Sequence, residues 1–168
     1  KVKKGQTDNI GVIIGKWDDT QYGGGVFDIG HDTQEGGPDT FYIVVEDNNG
    51  QREYAFSNSY DNMEWNTVTA GYDGSSIHMY VNGVYQSSTP INFTINTNDL
   101  PLSIGSSYPY AMNGGYNFEG QIDEISIWNI WLGEAEIQNI IDNDGIDSNN
   151  SNLVTHWKFN AGQSDILY

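Results

Sequence analysis

Cysteine is absent from the 168 residues, which excludes disulfides, thiolate metal ligands and cysteine nucleophiles and leaves the redox compartment open. Basic residues are scarce, with 6 Lys and Arg against 23 Asp and Glu and a formal charge of −17. A phosphate-neutralising surface is therefore missing, so nucleic acid is disfavoured as a partner, as is an anionic membrane. Acidity of this kind suits solubility in a salty or extracellular medium, with bound divalent cations as another way of offsetting charge. No apolar run is long enough to insert in a bilayer and no signal peptide is visible, but the chain opens Lys1-Val2-Lys3-Lys4 without methionine, so secretion stays open. The three histidines are scattered and no serine sits in a nucleophile elbow, which argues against a zinc site and a catalytic triad.

What is present is β pattern. Val68, Ala70 and Tyr72 alternate with polar or small residues, as do Ile77, Met79 and Val81, and a period of two puts each set on one face of a strand. Asp73-Gly74 between them supplies a hairpin turn, and Asn82-Gly83 repeats the device at the end of the second strand. The stretch Trp65 to Val84 is thus a hairpin leading into a meander.

Around it, Gly11 to Trp17 reads as a strand buried on both faces, Val26 to Gly30 as another, and His31 to Asp39 as a polar loop broken by Gly-Gly-Pro. Phe41 to Glu46 and Arg52 to Phe56 flank Asn49-Gly50 as a second hairpin. Tyr85 to Ile95 holds one strand interrupted or edged at Pro90, Gln121 to Asn129 forms one strand, and Leu153 to Phe159 another. One helix is expected from near Gly133, with Glu134 and Glu136 in its first turn, Ile137, Ile140 and Ile141 on one face, and Gly145 leaving it. Length and pattern predict one domain over residues 1–168, an all-β, antiparallel two-sheet sandwich with one short helix near the C-terminus. Trp17, Trp65, Trp128 and Trp157 are expected in strands and in the core.

The segment Trp-x-x-Val-x-x-x-Tyr-Asp-Gly-Ser-x-Ile-x-x-Tyr-Val-Asn-Gly from Trp65 to Gly83 resembles the central signature of laminin-G-like jelly rolls of the concanavalin A-like lectin and glucanase superfamily. Pro101 to Gly105, Phe118 to Asn129 and Leu132 to Ile137 are similar to that family's closing strands and short helix, in the same order. The resemblance implies a jelly roll, a fold that serves lectins, carbohydrate-binding modules, pentraxins and adhesion domains alike. It also implies that this domain lacks its first strands, because relatives carry Ser-x-x-Phe-Asp-Gly and Ala-Trp strands ahead of the segment matching Lys1 to Trp17. An unpaired apolar sheet edge is then expected.

Candidate chemistry follows from both sources. The Glu-x-Asp-x-x-Glu of related glucanases is absent, and Asp123 and Glu124, adjacent on a strand, point to opposite faces and cannot flank one glycosidic bond, so no enzyme activity is expected. Asp142-Asn143-Asp144-Gly145 is no EF-hand, since Ile146 stands where an oxygen ligand is needed. Aromatics in loops are the stronger hint, because sugars stack apolar C–H faces on rings while amides and carboxylates take their hydroxyls. Tyr108, Tyr110 and Tyr116, with Asn113, fit this, or else plug the end of the sandwich. Up-and-down strand order brings the segment before Gly11, the His31 to Asp39 loop and the Ser57 to Glu64 loop to one rim, which adds Asp8, Asn9, His31, Asp32, Tyr60 and Asn62. His78 and His156 are expected to be satisfied strand residues.

For calcium, Gln6-Thr7-Asp8-Asn9 is similar to the pentraxin segment whose aspartate and asparagine bind the ion, and Asp123 matches the aspartate of a structural site seen in relatives. Calcium wants six to eight oxygens, so Asp8, Asn9 or Asp123 would each need further ligands. The sum is a non-catalytic carbohydrate-binding module of a larger secreted or cell-surface protein, with a glycan or cell-surface polysaccharide as partner. The alternative is a protein-contacting adhesion or structural module, as in a filament, an adhesin or a phage fibre.

Overall fold

A computed structural model of the chain describes residues 1–5, 10–18, 24–32, 39–60, 64–107, 116–143 and 146–159. Along it run β1 (Val2–Lys4), β2 (Gly11–Lys16), β3 (Phe27–Asp32), β4 (Thr40–Glu46), β5 (Arg52–Phe56), β6 (Val68–Tyr72), β7 (Ser76–Val81), β8 (Val84–Pro90), β9 (Ser103–Ile104), β10 (Gly120–Ile122), β11 (Ile125–Trp128), α1 (Glu134–Asp142) and β12 (Leu153–Trp157). An antiparallel five-stranded sheet has the order β5-β4-β3-β2-β9, and the opposing layer holds β6-β7-β8, β1-β10 and β11-β12. The expected two-sheet antiparallel sandwich with one short C-terminal helix is what forms.

Period-two burial explains the packing. Phe41, Ile43 and Val45 of β4 share the main core with Ile77 and Met79 of β7 and Ile125 of β11. Each such side chain, fully buried, contributes about 1.5–3 kcal/mol. β2 is buried along nearly its whole length, as its run of β-branched residues requires. At the edge of the five-stranded sheet, β5 has no ladder partner beyond β4 among the described residues, and hydroxyls of the other layer take its carbonyls: Thr89 Oγ1 donates to Tyr54 O and Ser87 Oγ to Phe56 O, each at 2.6 Å. That closes the sandwich on this side.

Both turns of the meander follow from their residues. Asn82 and Gly83 have φ of 52° and 78°, the two positive values of a type I′ turn. Asp73 Oδ1 accepts the backbone N–H groups of Ser75 and Ser76 at 2.8 Å, and its other oxygen lies 2.8 Å from His78 Nε2. The helix begins as expected, with the Gly133 N–H donating to Glu136 Oε2 at 2.7 Å, and it buries Ile137. Gly145 lies outside the described residues.

Several expectations need correction. Gln121 to Asn129 is two strands, because Glu124 takes φ of 51° and the chain changes partner there, β10 pairing with β1 and β11 with β12. His31 and Asp32 are the last residues of β3 and are buried, since the ladder with β4 continues through Asp32 opposite Thr40. The strand after Asn82-Gly83 is Val84–Pro90 and does not run on to Ile95, in keeping with the expected edge at Pro90. The last strand likewise stops at Trp157, before Phe159 at φ of 47°. Trp65 is not in the core or in a strand but 45% exposed, because it precedes β6 where only Asn66 is bridged to β1. Trp17 is buried just beyond the end of β2, while Trp128 and Trp157 are half-buried strand residues.

Candidate functional site

The face of the five-stranded sheet turned away from the main core carries its own aromatic cluster. In β4 the residues alternating with Phe41, Ile43 and Val45 are Tyr42, Val44 and Glu46, and register places Tyr42 opposite Phe56 and Val44 opposite Tyr54 on β5. Trp17 joins Tyr42 and Val44, with Tyr54 and Phe56 half-buried against them. The Tyr54 and Phe56 rings are parallel to within 4°, with centroids 5.8 Å apart. Their strand is anchored from behind by Thr89 and Ser87, so the pair forms a fixed apolar strip.

Acceptors lie beside the strip. Asp28, Gly30 and Asp32 fall on the same face of β3, and Gly30 sits directly opposite Tyr42. The close approach there needs glycine, since a Cβ would lie 2.6 Å from the Tyr42 hydroxyl. That hydroxyl donates to Asp28 Oδ2 at 3.3 Å. Burial, then the charge of Asp28 and the hydrogen bond to it, then the charge of Asp32, push the Tyr42 phenol far above its ordinary range, so it stays a neutral donor. At the other end of the face Glu46 is fully buried, accepting from Arg52 Nε at 2.9 Å and from the Gly25 N–H at 2.7 Å, and the guanidinium lies 4.8 Å over the Trp17 ring.

On the interior side of the same sheet, the described residues of the predicted rim form a polar cluster. Asp39 Oδ1 is 3.0 Å from Lys4 Nζ and 3.5 Å from His31 Nε2, and the Asp39 carbonyl accepts the Tyr60 N–H. Tyr60 stacks on Phe41 at 3.8 Å and meets the edge of His31 at 5.9 Å. Burial, and then the charge of Asp39, raise its phenol well above the ordinary range. His31 and Tyr60 are therefore brought together, while Asp32, one residue on, falls on the outer face with Tyr42. Lys4 and His31 are almost wholly enclosed, which makes this cluster a polar plug under the rim more than an open site.

Asp8, Asn9, Asn62, Tyr108, Tyr110 and Asn113 lie outside the described residues. Tyr116 is half exposed, and its carbonyl accepts the Val12 N–H beside β2. His78 and His156 are satisfied as expected, the first by Asp73 and the Trp131 ring, the second by Glu124 at 2.6 Å. The pairing of Asp28, Tyr42, Tyr54 and Phe56 escaped the sequence reading, which sought aromatics in loops. Their signal was the alternation Tyr42-x-Val44 and Tyr54-x-Phe56 on strands whose other face is apolar.

A family model described as the concanavalin A-like lectin/glucanases superfamily, of laminin-G-like type, matches residues 3–138. The chain belongs to that superfamily. Among solved structures it is similar to a Bacteroides ovatus protein described as a "putative carbohydrate binding protein", with a TM-score of 0.72 and 18% identity over 94% of this chain. The chain spans 43% of that protein's length, and at this identity the likeness speaks for the fold. No curated protein matches the chain.

The superfamily includes glucanases as well as lectins, so the carboxylates must be weighed for catalysis. Asp28 and Asp32 share a face but stand four residues apart on an extended strand, roughly 13 Å between Cα atoms. Glycosidase pairs place their carboxyls about 5–10 Å apart across the bond. Asp28 is moreover buried and engaged by Tyr42. At Asp123, the aspartate of the expected calcium position, Oδ1 accepts the Glu124 N–H at 2.9 Å. Among the described residues no three Asp, Glu or His side chains converge on a possible ion position.

Proposed function

We propose that this domain is a non-catalytic carbohydrate-binding module of a larger secreted or cell-surface protein, and that a glycan lies on the outer face of the five-stranded sheet. The observation that carries this reading is the parallel, half-buried Tyr54 and Phe56 strip, which lies beside the buried hydrogen bond between Tyr42 and Asp28. Apolar sugar faces stack on such rings. Superfamily membership and the fold of the Bacteroides ovatus protein support the same reading.

Binding to a panel of immobilised polysaccharides and oligosaccharides tests it. Tyr54→Ala and Phe56→Ala should each lower affinity about five- to tenfold, the equivalent of one lost stacking contact of about 1–1.5 kcal/mol. Tyr116→Ala, on the loop side, should leave binding intact. Self-association or capture of a protein ligand with no glycan bound would favour the adhesion or structural module instead.

A further inference from the structure

The outer face of the β6-β7-β8 meander carries a second set of rings, on the opposite layer from the Tyr54 and Phe56 strip. Period two sends Ile77, Met79 and Val81 of β7 into the core and so turns His78 and Tyr80 outward. Register sets Gly71 of β6 opposite His78, and Thr69 and Tyr85 on either side of Tyr80. Trp131, from the segment between β11 and α1, lies across Gly71, where a Cβ would come within 3.1 Å of its ring. It stacks on His78 with centroids 4.9 Å apart and stands 5.9 Å from Tyr80, tilted 46° to it. Tyr85 meets Tyr80 from the β8 side, at 5.4 Å and 73°. Trp131, Tyr80 and Tyr85 thus run in a row across the strands. The row is open to solvent at Tyr85, which is 47% exposed, and Tyr85 Oη donates to Ser88 Oγ at 3.0 Å, which fixes its ring.

Charge on this face has one sign. Residues 64–90 and 129–152, which build it, include Asp73 and Glu134 and hold no lysine or arginine. Glu134 is exposed in the first turn of α1 and acts on the middle ring of the row: burial first, and then the charge of Glu134, raise the Tyr80 phenol above its ordinary range. A second copy of this chain would set acid against acid here, and an acidic ligand would be repelled. A cation is drawn twice, by the ring faces and by the carboxylate. The tilted rings also ask for flat apolar faces beside the charge, which an amino sugar has and a lysine side chain lacks.

We propose that Trp131, Tyr80 and Tyr85, with Glu134, bind a glycan that carries protonated amino groups, an oligomer of a deacetylated amino sugar. Its C–H faces stack on Trp131 and Tyr85, and an ammonium group lies over Tyr80 toward Glu134. The proposal rests on the reading of this domain as a carbohydrate-binding module and adds to it a ligand class and a second face. Strips on opposite layers would let one domain hold two glycan chains at once.

Calorimetric titration with a glucosamine hexamer, an N-acetylglucosamine hexamer and hexalysine tests it. The glucosamine hexamer should bind, and more weakly as salt is raised, while the acetylated hexamer and hexalysine should each bind at least about tenfold more weakly. Tyr85→Ala and Glu134→Gln change exposed side chains, so the fold should survive, and each should weaken glucosamine binding roughly two- to fivefold. The Tyr54→Ala, Phe56→Ala double variant should leave that binding unchanged. Glucosamine binding that is lost in this double variant and untouched by Tyr85→Ala and Glu134→Gln would overturn the inference while leaving the proposed function standing. A neutral glycan held at Tyr54 and Phe56 with no glucosamine binding would do the same. Hexalysine binding as tightly as the glucosamine hexamer would overturn it too, because charge alone would then suffice. Failure of every glycan would remove both readings together.

Discussion

Arg52 offers a quantitative test of how the outer face is held. Its guanidinium donates to Glu46 at 2.9 Å, and Glu46 is 0% exposed while the arginine side chain is 38% exposed. Arg52→Met keeps the apolar stem against Trp17 but removes the charge. Glu46 would then be a buried carboxylate with the Gly25 N–H as its remaining donor from this set. Stranding a buried charge costs about 3–5 kcal/mol, and partial water access on the arginine side lowers the expectation here to about 2–3 kcal/mol. For a domain of this size that is a Tm loss of roughly 5–10 °C. Adding Glu46→Gln should recover much of the loss, since a neutral amide still accepts from Gly25, and the double-mutant cycle should show a coupling of about 1–2 kcal/mol. Thermal unfolding of the four proteins by calorimetry is the assay. A single Arg52→Met loss below about 0.5 kcal/mol, or additivity in the cycle, would refute the reasoning that this pair fixes the edge of the face.

The remaining predictions are independent of one another. Gly74→Ala and Gly83→Ala separate backbone strain from crowding: both force a side chain into positive φ, at 100° and 78°, but nothing lies near a Cβ at Gly74 whereas Gln138 Oε1 would be touched at Gly83. Each should cost about 1–2 kcal/mol for the conformation, with Gly83 the worse, and the reverse order by chemical denaturation would contradict the turn geometry. The Asp73 carboxyl is held well below the usual carboxylate range by the Ser76 N–H first, then by His78 and Ser75. A lowered folded-state pKa gives stability that is present at neutral pH and is lost as pH falls through about 4 and below, so Asp73→Asn should flatten the fall in Tm between about pH 5 and 2; parallel profiles would count against it. Calorimetry with calcium and with EGTA should show no stability change that depends on Asp123, and a rise abolished by Asp123→Ala would mean its carboxylate serves an ion and not only the Glu124 N–H.

Local turn chemistry was the most legible part of the sequence. Asp73-Gly74 and Asn82-Gly83 fixed the β6-β7-β8 meander because so few residues accept positive φ. The break at Glu124 was written there too, in apolar residues at Ile122, Ile125 and Ile127, where spacing of three and then two announces a slip of period. Trp65 misled because bulk and aromaticity favour burial only where a layer exists to cover the ring. Strand order placed His31 and Tyr60 near one another, but not the Lys4 that pairs with Asp39 beside them. The outer-face site did not follow from it, because Asp28, Tyr42, Tyr54 and Phe56 come together only through the register of three strands, and a single chain's alternation assigns faces without assigning partners.

The central claim is that a glycan rests on the Tyr54 and Phe56 strip. The most direct measurement is a set of amide and aromatic NMR spectra recorded while a glycan selected from the binding panel is titrated into the protein. The account predicts shifts concentrated on Tyr42, Tyr54, Phe56, Asp28 and Asp32, and their loss in a folded Tyr54→Ala, Phe56→Ala double variant. Saturable binding whose shifts fall elsewhere and survive that double variant would contradict it.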